Sequence, residues 1–91
     1  MRILEIIQVR FVGDSLEVLG GQIKCSTEAT TKSTEVVTIY RQVGLETDLA
    51  VHIRHEVSDA RRPSELGLRL ASALKSHGLV EHTVWEELQG T

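Results

Sequence analysis

The stretch EVVTIYRQVGLETDLAVHIRHEV, residues 35–57, decides the fold of this chain. It holds two runs rich in β-branched residues, 35–43 and 49–57, joined by Gly44-Leu45-Glu46-Thr47-Asp48, which has the length of a hairpin loop. We expect the two runs to pair as an antiparallel hairpin. In a chain of 91 residues this central hairpin leaves room for one further strand and one helix on either side.

The segment before the hairpin predicts a strand and a less certain helix. Residues 2–12 are rich in β-branched and aromatic residues, and Gly13-Asp14 after them is a turn signal. Apolar residues within 14–31 follow a helical stripe, yet the pair Gly20-Gly21 and the Thr-rich end are poor helix formers. A helical crossover and a hairpin turning at Gly20-Gly21 both stay open. We favour the helix, because glycine on its contact face lets a helix approach a sheet closely.

The segment after the hairpin predicts a helix over 63–77 and a last strand over 79–88. Pro63 suits the first helical position and Gly78 suits the position after the helix end. A stripe that would face the sheet is formed by Leu66, Leu70, Ala73 and Leu74. The resulting order β-α-β-β-α-β predicts one ferredoxin-like α+β domain over 1–91: a four-stranded antiparallel sheet with two helices on one face.

Composition excludes several classes of function. The net charge of -3 and the three aromatic residues argue against binding to nucleic acid, which needs positive charge and stacking surfaces. No apolar run is long enough to span a membrane, and the N-terminal residues lack the pattern of a signal peptide. The single cysteine, Cys25, rules out an internal disulfide and predicts a cytoplasmic location. We expect Cys25 itself to be a small packed residue of the first helix.

Strand alternation assigns the side chains to two faces of the sheet. Val51, Ile53 and His55 form the apolar set of the third strand and predict the helix side, where His82 also falls. Histidines there are expected to be hydrogen-bonded core residues, and Phe11 a core residue. The opposite side, the open face, collects apolar, aromatic and charged side chains: Leu4, Ile6, Gln8, Arg10, Tyr40, His52, Arg54, Glu56 and Trp85.

An exposed apolar patch rimmed by charge is typical of an interaction surface. The chain has no further element to cover it, so we predict a homodimer built sheet to sheet, with Tyr40, Trp85 and Arg10 at the dimer face or in a ligand pocket between the sheets. For His52 and Arg54, ion pairing with Glu56 is the structural alternative to a functional role. His52 and His55 lie on opposite faces, and no set of residues has metal-ligand spacing, so no metal site is predicted.

The layout resembles the dimeric α+β barrel group, and within it the small antibiotic-biosynthesis-monooxygenase-like proteins. The resemblance is carried by the first strand, by VVTIYRQVGLETDLAVHIRHE (36–56) and by SELGLRLASALKSHGLVEHTVWEEL (64–88). It implies a dimer whose two sheets close into a barrel. It also implies, for some members, oxidation of polycyclic aromatic or quinol-type substrates by molecular oxygen without a cofactor.

Such chemistry requires a base, a group that holds the substrate anion and an apolar wall. The resemblance makes His52 the candidate base, Arg54 the candidate anion holder, and Tyr40 and Trp85 the rings that stack a substrate. The chain departs from the group in having no Asn, a residue that active members commonly use as a hydrogen-bond donor. The sequence leaves a second function open, a non-catalytic dimeric module that binds a small aromatic ligand or a partner.

Overall fold

The fold is described from a computed structural model that covers residues 1–11, 16–28, 35–44, 47–56 and 63–90. The side chains of residues 11, 16 and 26–28 lie outside the description, so the core position expected for Phe11 is not tested. Helices and strands follow the predicted order. In the chain they are β1 (Arg2–Phe11), α1 (Leu16–Glu28), β2 (Val36–Arg41), β3 (Asp48–Glu56), α2 (Glu65–Leu74) and β4 (Gly78–Glu86).

The four strands form one antiparallel sheet in the order β2-β3-β1-β4, which is the ferredoxin-like arrangement that the sequence predicted. The hairpin of β2 and β3 is confirmed, with Val37 opposite Ile53 and Ile39 opposite Val51. The central strand β1 pairs with β3 on one side and β4 on the other. Residues 50 or more positions apart in the chain therefore become neighbours on each face of the sheet.

The core lies between the sheet and the two helices. Its buried side chains come from the apolar face of β1 and β3 and from one stripe of each helix: Ile3, Ile7, Val9, Leu19, Ile23, Leu49, Val51, Ile53, Leu66, Leu70, Ala71 and Leu74. Burying a side chain of this size stabilises the fold by about 1.5–3 kcal/mol. The side assignment made from strand alternation is correct for Val51 and Ile53.

The first helix is confirmed against the alternative hairpin, but the reason given for it is wrong. Leu19 and Ile23 are buried, as the helical stripe predicts. Gly20 and Gly21 face open space, with no atom within 4 Å of the position of a Cβ, so no close approach to the sheet explains them. Cys25 is exposed rather than packed, because it lies on the face of α1 away from the sheet.

The second helix is shorter than the predicted 63–77. Its N-cap is Ser64, whose side chain accepts a hydrogen bond from the Gly67 N–H at 3.0 Å, so Pro63 precedes the helix instead of opening it. The helix ends at Leu74, and Gly78 already belongs to β4. Ala73 is exposed, and Ala71 takes the buried position that was expected for it.

Candidate functional site

The open face carries five rows of cross-strand neighbours. The row nearest the start of β1 pairs Arg2 with Glu56; the second holds Val36, Arg54, Leu4 and Trp85; the third holds Thr38, His52, Ile6 and Thr83; the fourth holds Tyr40, Ala50, Gln8 and Glu81; the last includes Asp48, Arg10 and Leu79. The described helices both pack on the other side of the sheet, and 57% of Trp85 and 42% of Tyr40 are exposed. Tyr40 and Trp85 thus lie on the face where the sequence predicted them.

His52 is packed against Tyr40 near the middle of this face. The two ring centroids are 4.6 Å apart and the ring planes are tilted by 54°. The His52 Nδ1 atom is buried and has no hydrogen-bond partner in the described part of the chain. Burial, together with the positive charge of Arg54, holds the pKa of His52 below its usual value. The lowered pKa favours the neutral imidazole, which is the form that can accept a proton.

Arg54 differs from the other two arginines of the open face in forming no ion pair with a described residue. Arg2 donates to Glu56 at 3.4 Å and to Glu87 at 3.3 Å. Glu56 therefore pairs with Arg2 across the strands, and the expected pairing of His52 and Arg54 with Glu56 does not occur within the chain. The Arg54 guanidinium is exposed, and no described carboxylate lies within salt-bridge distance of it.

Arg10 forms a bidentate ion pair at the opposite end of the open face. Its Nε and Nη2 atoms donate to the two carboxylate oxygens of Asp48 at 3.1 and 3.3 Å. This fork holds the pKa of Asp48 below its usual range. Because Arg10 is exposed and Asp48 is half-buried, the pair fixes the orientation of Arg10 more than it stabilises the fold.

Two open concave regions divide the face. One, of about 980 Å³, contains Arg54 and Trp85 with Leu4, Ile6 and Val36. The other, of about 550 Å³, contains Tyr40 and Arg10 with Gln8 and Glu81. His52 lies in the row between them. Each region exceeds the roughly 300 Å³ that a small-molecule site needs, so the predicted site residues divide into two neighbouring groups.

The helix side holds a polar cluster that the sequence did not single out, formed by Glu5, His55 and His82. Glu5 is the buried charged residue of the described chain, with 0% of its surface exposed. Its Oε2 lies 2.8 Å from His55 Nε2, and its Oε1 lies 2.9 Å from His82 Nε2 and 3.1 Å from the Ser64 N–H. An ionised carboxylate accepts all three hydrogen bonds, with both rings donating through Nε2. The prediction that His55 and His82 are hydrogen-bonded core residues is confirmed.

Gly67 completes this cluster because it has no side chain. A Cβ at this position would overlap the Glu5 carboxylate and lie 3.1 Å from Cε1 of His82. The carboxylate therefore occupies the space beside the first turn of α2 and links β1, β3 and β4 to the start of the helix.

Strand alternation is the signal that could have identified Glu5, since it places this residue between Ile3 and Ile7 on the helix side. A carboxylate is almost never fully buried without partners. The position of Glu5 on the helix side therefore predicts hydrogen-bond donors close to it. No group of three or more His, Cys, Asp or Glu in the described ranges has an arrangement that would hold a metal ion. We interpret the cluster as a hydrogen-bonded support of the fold.

Comparison with known proteins confirms the fold and leaves the activity open. No protein-family model matches the chain, and no curated protein matches it in sequence. Among solved structures the chain is similar to SnoaB, a cofactor-independent oxygenase from Streptomyces nogalater, in a variant in which an Asn is replaced by Ala. The TM-score is 0.70 at 17% sequence identity, over 98% of this chain and 95% of the oxygenase. The chain thus shares the α+β fold of this oxygenase, in agreement with the fold that its layout predicted.

None of the helices in the described ranges is long and apolar enough to cross a membrane.

Proposed function

We propose that this chain oxidises a small aromatic or quinol-type molecule with molecular oxygen and without a cofactor, with His52 as the base. The observation that supports this most directly is the buried His52 Nδ1, which has no hydrogen-bond partner among the described residues. A buried polar atom normally has a partner, so its absence from the described part of the chain is consistent with a partner supplied by a ligand. The similar fold of a cofactor-independent oxygenase agrees with this assignment.

The chemistry assigned to the site balances without a redox group. His52 accepts a proton from a quinol hydroxyl, and the electron-rich anion reacts with oxygen. One oxygen atom is added to the ring and the other leaves as water, so that quinol and O₂ give a hydroxyquinone and water. Arg54, which pairs with no described carboxylate, holds the anion while it forms. Tyr40, which packs against His52, provides a ring against which the substrate stacks, and Trp85 forms part of the apolar wall beside Arg54.

The open face needs a cover to exclude water from such an anion, and the cover we propose is a second copy of the chain. A homodimer built sheet to sheet would turn the two concave regions into enclosed ones. The cytoplasmic location predicted from the lone Cys25 belongs to this proposal, since a reducing compartment also keeps a quinol reduced.

Oxygen consumption with a naphthalene-type quinol tests the proposed activity, with the spontaneous oxidation of the quinol measured without protein. His52→Gln removes the base, and the rate above background should fall at least about 100-fold. His77→Gln makes the same change on the helix side and should leave the rate within about twofold. Catalase should return no oxygen, because the second oxygen atom leaves as water and not as peroxide.

A thermal-shift titration with the same quinol separates this function from the alternative. Stabilisation by the quinol without oxygen consumption would overturn the oxygenase and support a non-catalytic binding module. Equal rates for the unaltered chain and His52→Gln would overturn the role of His52 even if oxygen were consumed.

A further inference from the structure

Arg54 and Glu81 are the charged residues of the open face that make no ion pair with any described residue. The remaining charged groups of this face pair within the chain: Arg2 with Glu56 and Glu87, and Arg10 with Asp48. Arg54 and Glu81 are both exposed and carry opposite charges. They lie too far apart to pair within one sheet, because β1 separates their strands.

The register gives their relative positions. Arg54 lies on β3 beside Leu4 of β1, and Glu81 lies on β4 beside Gln8 of β1. Because β1 is the strand between β3 and β4, the midpoint between the two charges falls on β1 halfway from Leu4 to Gln8. That midpoint is Ile6, a half-buried apolar residue of the open face.

Consider two copies whose open faces meet, related by a two-fold axis that lies between the sheets and passes over Ile6. Rotation about this axis places Arg54 of each copy opposite position 81 of the other copy. With strands about 4.8 Å apart and rows of the same face about 6.7 Å apart, the axis perpendicular to the line from Arg54 to Glu81 crosses the face diagonally. It runs from the corner of Tyr40, over Ile6, toward the corner of Trp85. Tyr40, Ile6 and Trp85 therefore lie near the axis, and Arg54 and Glu81 lie on either side of it.

We infer that a second copy of this chain docks on the open face about this axis, with Arg54 of each copy opposite the partner's Glu81. The inference rests on the homodimer of the proposed function and specifies how the two copies meet. Two-fold symmetry forms the ion pair twice, and an apolar centre with a charged rim is the usual anatomy of an interface. A face of roughly 20 by 30 Å has the footprint of a standard interface, which buries about 800 Å² on each partner.

This geometry makes the partner part of the proposed site. His52 and Arg54 lie on the same side of the axis, so each dimer holds two separate sites. The partner's Glu81 closes each site next to Arg54. A guanidinium has five N–H donors, and a bidentate pair with a carboxylate uses two of them, which leaves three for the substrate anion.

Charge reversal followed by sedimentation velocity at micromolar concentration tests the docking. A dimer has two symmetry-related contacts between position 54 of one copy and position 81 of the other. In the Arg54→Glu dimer each contact brings two carboxylates together, and in the Glu81→Arg dimer each contact brings two guanidinium groups together. Each variant alone should raise the Kd of the dimer at least about 100-fold. Mixing the two variants should restore a dimer, because a heterodimer of R54E and E81R has both pairs with opposite charges. The double variant R54E/E81R should also form a dimer.

Arg69→Glu is the matched control, because it reverses an exposed arginine on α2, on the far side of the sheet. It should leave the Kd within about threefold, and circular dichroism should show that every variant is folded. Single variants that dimerise as tightly as the unaltered chain, or a mixture that stays monomeric, would overturn the docking while the homodimer stood. A monomeric unaltered chain would overturn the homodimer as well, and the oxygen-consumption assay then decides the activity separately.

Discussion

The two faces of the sheet differ in whether their buried polar groups have hydrogen-bond partners within the described chain. On the helix side the Glu5 carboxylate accepts hydrogen bonds from His55, His82 and the Ser64 N–H, and all of these come from the same chain. On the open face the His52 Nδ1 atom is buried and has no partner in the described ranges. The helix side is therefore satisfied within one copy of the chain, whereas the open face keeps a buried polar atom for which we propose a partner from outside the chain. Substitutions that separate stability from association can test this difference.

Glu5→Gln should have the largest effect on folding. The change removes the negative charge and turns one acceptor into a donor that faces an imidazole. Because each hydrogen bond to a buried carboxylate is worth about 1.5–3 kcal/mol and more than one is weakened, we expect the free energy of unfolding to fall by about 4 kcal/mol in urea denaturation. Glu56→Gln breaks an exposed pair with Arg2 and should leave the free energy of unfolding nearly unchanged. Equal losses in the two variants would contradict the role of the cluster.

The neighbours Ile6 and Ile7 point to opposite faces and separate the two roles most directly. Ile7 is fully buried on the helix side, so Ile7→Ala should lower the free energy of unfolding by about 3 kcal/mol at any protein concentration. Ile6→Ala should lower it less, and its loss should depend on protein concentration because part of it is lost association. Unfolding curves at two concentrations a hundredfold apart measure the difference. A concentration-independent loss for Ile6→Ala would argue against the dimer.

Two glycine-to-alanine changes in helices should act in opposite directions. At Gly67 the added methyl group overlaps the Glu5 carboxylate, so Gly67→Ala should destabilise the fold by about 2 kcal/mol although alanine favours a helix. At Gly21 the added methyl group meets open space, so Gly21→Ala should stabilise the fold by about 0.5–1 kcal/mol. Thermal unfolding measures both. A stabilised Gly67→Ala variant would show that the carboxylate moves aside easily.

The smallest effect concerns the titration of His52. Burial is the larger cause of its lowered pKa and the charge of Arg54 the second, so Arg54→Gln should raise this pKa without returning it to the usual value. The acid limb of the oxidation rate should move to higher pH with it, because the base is the neutral ring. NMR titration of the ring protons measures the change. Arg10→Gln, which removes an arginine already paired with Asp48, should leave the titration unchanged.

Local patterns in the sequence predicted most of the fold. Alternation of apolar and polar residues gave the strands and their faces, and the helical stripes gave both helices, because these periodicities follow from backbone geometry. Helix ends were less predictable. Pro63 and Gly78 both suit helix termini, yet Ser64 takes the cap because its side chain bonds to the Gly67 N–H.

The two polar sites differ in how far the sequence reveals them. His52, Arg54, Tyr40 and Trp85 were placed on one face by alternation alone, but their division between two concave regions depends on sheet order. The partners of Glu5 are 50 and 77 positions away and meet it diagonally, each two residues from its direct cross-strand neighbour, Ile53 or Val84. No local pattern contains that information, although the placement of Glu5 among isoleucines indicates that partners exist.

The contacts of Glu5 also have a consequence for the order of folding. Its three partners follow it by 50, 59 and 77 positions, so the carboxylate cannot be satisfied until nearly the whole chain is present. Contacts of such long sequence separation slow folding, since much chain entropy is lost before they form. During synthesis β1 leaves the ribosome first and β4 last. We therefore expect the hairpin of β2 and β3 to form early and the insertion of β1 between β3 and β4 to be the late, rate-limiting step.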